Sequence, residues 1–132
     1  MFTFDQFGCP VACDDAFEWA RFKARVTAGA VGTQVDIVGR FHVQTYFVGL
    51  DLRGRLPWGP EPLVWETWVS ETTGAGAPPG RQVDYFGHVT RSAAAAAHRR
   101  LLLEMRRGTY EPSGRRWDPD FQKDAAAPNA AR

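Results

Sequence analysis

Phe41-His42-Val43-Gln44-Thr45-Tyr46-Phe47-Val48-Gly49-Leu50-Asp51 and Pro62-Leu63-Val64-Trp65-Glu66-Thr67-Trp68-Val69-Ser70-Glu71-Thr72 are the two stretches on which the fold turns. In the first, Phe41, Val43, Thr45 and Phe47 alternate with His42, Gln44, Tyr46 and Val48, the period of two expected of a strand with one firmly buried face. In the second, Leu63, Trp65, Thr67 and Val69 share one face, and Val64, Glu66, Trp68 and Ser70 the other. Gly54, Pro57, Gly59, Pro60 and Pro62 lie between them, so neither strand can continue, and an ordered loop anchored by Leu56 and Trp58 is expected. The result is one hairpin. It sets Thr45, Asp51, Glu66 and Thr67 among Trp58, Trp65 and Trp68, and these seven residues are the first candidates for a binding site.

Working outward, the order Asp15-Ala-Phe-Glu-Trp-Ala-Arg-Phe-Lys-Ala-Arg-Val26 repeats large apolar residues at Trp19, Phe22 and Val26, one face of a helix capped by Asp14 or Asp15 and stopped at Gly29 and Gly32. Before it, residues 1 to 13 read as a short extended piece and a turn. Strand-like sequence begins at Val35, and a further strand is expected from Arg81 to Val89 after the turn-rich Thr72 to Gly80. Thr90 or Ser92 caps a second helix through Ala93 to Ala97, with Leu101, Leu102 and Met105 as anchors and an end near Gly108. The expected fold is therefore α+β: an antiparallel sheet of three or four strands packed against the C-terminal helix, with the N-terminal helix over an edge or the same face. Residues 1–108 read as a single domain. Residues 109–132 read as a largely flexible tail with Trp117 and Phe121 as its anchor points.

A chain of 132 residues, 44% hydrophobic and with five Trp, three Tyr and nine Phe, has enough apolar surface for one core and too little length for two. Its formal net charge of +1 gives no global field toward nucleic acid or membrane. No apolar run reaches the roughly 20 residues of a membrane span, and no signal-peptide pattern stands at the start, so a cytoplasmic protein is expected. Cys9 and Cys13 are too few for a disulfide scaffold and read as reduced thiols. A zinc site built on them with His42, His88 or His98 lacks a second closely spaced ligand pair. No metal and no cofactor are assigned.

Phe4-Asp5-x-x-Gly8-x-Pro10, Glu18-Trp19-Ala20, Val43-x-Thr45-x-Phe47-x-Gly49-Leu50-Asp51, Pro62-Leu63-x-x-Glu66-Thr67 and an alanine-rich helix carrying His98 follow one another in this order. The series resembles a family of small uncharacterised proteins of phages and prophages of high-GC bacteria, whose members show D-x-x-G-x-P, E-W-A, S-T-V-F-L-G-L-D-H, P-P-L-L-F-E-T-M-V and A-x-A-G-H in the same sequence. The likeness covers about residues 4 to 98. It departs at Leu52, where the family has histidine, and at Trp68, where it has methionine. The resemblance implies a phage context, and host cytoplasm as the place of action.

Three functional readings arise. The leading one is a non-enzymatic phage accessory protein that binds a host or phage macromolecule, a host or phage protein being the expected partner and host metabolism or defence the process modulated. The second is a small enzyme or small-molecule binder in which Asp51, Glu66 and His88 or His98 form an acid and base set beside the hairpin. Against it, Glu66 serves equally well paired with Arg53 or Arg81, and His98 as a helix histidine bonded to the sheet. The third is a nucleic-acid binder through Arg99, Arg100, Arg106 and Arg107, opposed by Glu104 and Glu111 close by.

Overall fold

In the computed structural model the described residues are 1–29, 33–50, 61–74 and 76–113. The elements run β1 (Phe2–Phe4), β2 (Pro10–Ala12), α1 (Ala16–Ala28), β3 (Thr33–Val38), β4 (Phe41–Phe47), β5 (Trp65–Glu71), β6 (Gln82–His88) and α2 (Arg91–Arg107). β3, β4, β5 and β6 form a four-stranded antiparallel meander in chain order, and α2 lies across it, touching every strand. α1 packs on β1 and β4. The fold is thus the α+β arrangement that the alternation of Phe41–Phe47 and the helical spacing around His98 call for, with the N-terminal extended piece folded as a small β1–β2 hairpin. Among the described residues no helix is long and apolar enough to cross a membrane.

Both helices end where local chemistry dictates. Asp15 closes the start of α1 by accepting from Phe17 N at 2.8 Å and Glu18 N at 3.1 Å, and these amide donors hold its carboxyl below the usual range. Thr90 does the same for α2 by accepting from Ala93 N at 3.1 Å. Gly108, left-handed at φ 71°, ends α2 and returns its N–H to the last turn. The strand expected to reach Leu50 instead stops at Phe47, because Val48 N and Gly49 N both turn to Val64 O. Gly49 has φ +74° and its carbonyl accepts from Phe2 N and from Trp19 Nε1, so one carbonyl ties β1 and α1 to the sheet. A Cβ there would stand 2.6 Å from Trp19 Nε1, which only glycine avoids.

The helix-side core has two halves. Phe47, Val64, Trp65 and Ala94 form one, extended by Phe2, Phe4, Phe22 and Val26 in edge-to-face contacts such as Phe4 on Phe22 at 4.9 Å. Phe41, Val43, Val69, Val83, Leu101 and Leu102 form the other. Tyr110 joins this second half, its ring edge-on to Phe41 at 5.0 Å and its hydroxyl on Asp84 at 2.7 Å. Ser113 N and Oγ also donate to Asp84, so the packed body continues past Gly108, where the sequence reading drew its boundary. Tyr110 is an anchor that reading did not name; Trp117 and Phe121 lie outside the described residues.

Candidate functional site

Between the two halves of the core runs a line of polar side chains. On β4 Thr45 separates Val43 from Phe47; on β5 Thr67 separates Trp65 from Val69; on α2 His98 separates Ala94 from Leu101. Thr45 and Thr67 are register partners, and their hydroxyls meet at 2.7 Å. Thr67 Oγ1 lies 2.8 Å from His88 Nε2 on β6, and Thr45 Oγ1 lies 2.7 Å from His98 Nδ1. His98 Nε2 then reaches Asp36 Oδ2 on β3 at 2.7 Å. Every strand of the meander and the helix above it contribute one member.

Burial is graded along this line. Thr67 and His98 are fully enclosed, Thr45 is 4% and His88 9% exposed, and the Asp36 side chain, at 38%, meets water. The donors can be assigned from that end. A carboxylate only accepts, so His98 Nε2–H donates to Asp36; with a neutral imidazole the other nitrogen accepts from Thr45 O–H, and with an imidazolium it donates and the bonds back to His88 run the other way. In the neutral form Thr45 oxygen accepts from Thr67 O–H, and Thr67 oxygen accepts from His88 Nε2–H. All four bonds then point from His88 to Asp36, an alignment in which each bond polarises the next. Burial first, then the nearby positive charge of Arg100, pushes His88 down to about 4, which keeps it a neutral imidazole.

The arrangement has two chemical capacities. It can pass a proton without moving a heavy atom: a proton entering at His88 Nδ1 would reverse the three bonds between His88 and His98 and leave the charge on His98 beside Asp36. It also places carboxylate, imidazole and hydroxyl in the order that activates hydroxyl nucleophiles. Thr45, however, is 4% exposed and its hydroxyl already has two partners, so accessibility separates it from a working nucleophile.

The other candidates fall elsewhere. Glu66 and Trp68 point from β5 to the opposite face of the sheet, where Tyr85 O–H donates to Glu66 Oε2 and the Trp68 ring stands edge-on to Tyr85 at 5.3 Å. Tyr46, on the same face, has its hydroxyl pKa raised by burial and then by Glu66. The sheet itself therefore lies between Glu66 and the pair His88 and His98. The sequence reading offered Glu66 either Arg53 or Arg81 as a partner; Arg81 meets Glu71, at 3.1 Å, and Tyr85 donates to Glu66. Trp65 is buried in the aromatic half of the helix-side core, its indole N–H without a partner among the described residues. Asp51, Trp58 and Arg53 lie outside the described residues. Arg99, Arg100, Arg106 and Arg107 are exposed on α2, with the partly buried Glu104 between them. Cys9 is exposed and Cys13 buried, its thiol on Asp15 O at 3.4 Å.

Asp36 is the member that sequence reasoning missed. Its signal was present, since Gln34, Asp36 and Val38 share a face by alternation, but an aspartate on an edge strand reads by default as a solvated one. No known protein family matches the chain, and neither a curated protein nor a solved structure matches it.

Proposed function

We propose that the chain is a non-enzymatic binding domain, an accessory protein of the phage type its motifs resemble, that engages a protein partner through its N-terminal hairpin and the first turns of α1. One observation carries this reading. Among the described residues, Met1, Phe7, Val11 and Phe17 are exposed by 40%, 72%, 44% and 79%, and Asp5, Asp14, Asp15 and Glu18 stand among them with no Lys or Arg before Arg21. Large apolar side chains are left in water where something else covers them. The acidic setting suits a partner whose apolar contact surface is rimmed by Lys and Arg.

The separation of Glu66 from the two histidines weighs in the same direction, because it takes one carboxylate out of the set of Asp51, Glu66 and His88 or His98 from which the enzymatic reading draws. The test is affinity purification from host cells with the wild-type chain and the Phe7→Ser, Phe17→Ser double variant side by side. A protein held by the wild type should drop at least about tenfold in the double variant, the loss expected when two interface aromatics are truncated. Equal recovery by both chains would reject the surface.

A further inference from the structure

A second site, distinct from that surface, lies where the first turns of α2 meet the sheet. Arg91, Ala94 and Ala95 of α2, Thr33 and Gln34 of β3, Thr45 of β4 and Trp65 of β5 enclose a cavity of about 260 Å³. That is just below the roughly 300 Å³ at which pockets for drug-sized ligands begin, and room for a ligand of few atoms. The alanines make the space: α2 presents its smallest side chains here, whereas Leu101 and Leu102 fill the corresponding ground two turns on.

The lining is rich in donors. Trp65 is 2% exposed, and its Nε1–H is buried without a partner among the described residues, a state that native interiors seldom leave uncompensated. Arg91 has its guanidinium 5.7 Å above the Phe4 ring, with no carboxylate partner among the described residues. Gln34 and Thr33 add polar groups at the mouth. Among the described residues no Asp or Glu lines the cavity; on β3, Asp36 is bonded to His98. The remaining wall, Trp65 and the two alanines, is apolar.

We propose that this cavity binds a small organic carboxylate. Arg91 supplies the charge, the Trp65 indole N–H donates to a carboxylate oxygen, and the ligand's hydrocarbon part rests on the Trp65 ring and the alanine methyls. Thr45 connects the cavity floor to the line of hydroxyls and histidines, so an occupant would also sit against that line.

Indole N–H resonances in a two-dimensional proton–nitrogen spectrum read the site directly, with Trp65→Phe identifying the Trp65 signal. Titration with formate, acetate, propionate and benzoate should move that signal saturably for at least one of them. Arg91→Gln, with the remaining resonances unchanged, should weaken the same titration about tenfold, the loss of one charge-assisted contact. Two results would overturn the assignment: no saturable movement with any of the four, or the same titration in Arg91→Gln. Inorganic phosphate is the third arm. If it binds as well as the best carboxylate, the site takes any oxyanion and the carboxylate assignment falls.

Discussion

Each face of the sheet buries a carboxylate held by a tyrosine hydroxyl, Asp84 toward α2 and Glu66 on the other side, but the line beneath α2 buries its polar groups by another means. Toward α2, neutral hydroxyls and imidazoles are linked into a line whose only carboxylate, Asp36, stands at the surface. On the other face the carboxylate of Glu66, 7% exposed, is enclosed and held by the Tyr85 hydroxyl. A neutral group buried with its hydrogen bonds made loses little relative to water, whereas an enclosed charge must be compensated by every neighbour it has. The helix side therefore gains a rung that fixes α2 against four strands at once. The far side gains a position sensitive to any single loss.

The largest test of this contrast is His98→Ala. It removes a fully buried ring, leaves Thr45 without its acceptor, and detaches Asp36, so a loss of about 4 kcal/mol is expected from urea denaturation. A loss below about 1 kcal/mol would mean that the rung is not what holds α2 to the sheet.

How much of this could be read from sequence depended on whether the signal was local. Thr90 and Gly108 mark the two ends of α2 by capping chemistry that needs only neighbours in sequence, and the period of two places Thr45, Thr67 and Trp65 on one face correctly. The β1–β2 hairpin was visible only as an extended piece and a turn, since strands of three residues carry no period to count. The rung could not be read at all as a unit. Its members lie at 36, 45, 67, 88 and 98, and what joins them is the register of three strand pairs and the rotation of α2, which no local pattern encodes. The same gap produced the pairing of Glu66 with His88 and His98 as one site. They share a neighbourhood in the sheet but not a face. Tyr110 was missed because it stands alone beyond a helix end, and only Asp84 across the core explains it.

Acid should distinguish the two faces next. Unfolded, His88 titrates near 6.5; folded, it is held at about 4. Between those values the unfolded chain binds a proton that the folded chain does not, so this stability is fully present above pH 6.5 and falls as pH is lowered toward 4. At about 1.4 kcal/mol per pKa unit the loss is on the order of 3 kcal/mol. His88→Gln keeps an N–H for Thr67 but cannot titrate, and its stability should vary less over the same window by that amount. Parallel pH curves for the two proteins would show that His88 takes up its proton without leaving the rung.

The smallest effects belong to the opposite face, and there the two members of one bond should respond unequally. Tyr85→Phe removes the donor and leaves the Glu66 carboxylate enclosed with one bond fewer, which should lower stability by about 2 kcal/mol. Glu66→Gln keeps an acceptor for the tyrosine and removes the charge, so less than about 1 kcal/mol should be lost, because the group that was hardest to bury is gone. Both values come from the same urea titrations. If Glu66→Gln is the more damaging of the two, the carboxylate's charge is itself stabilising on that face, and the contrast between a rung of hydroxyls and imidazoles and a carboxylate enclosed among tyrosines no longer describes the sheet.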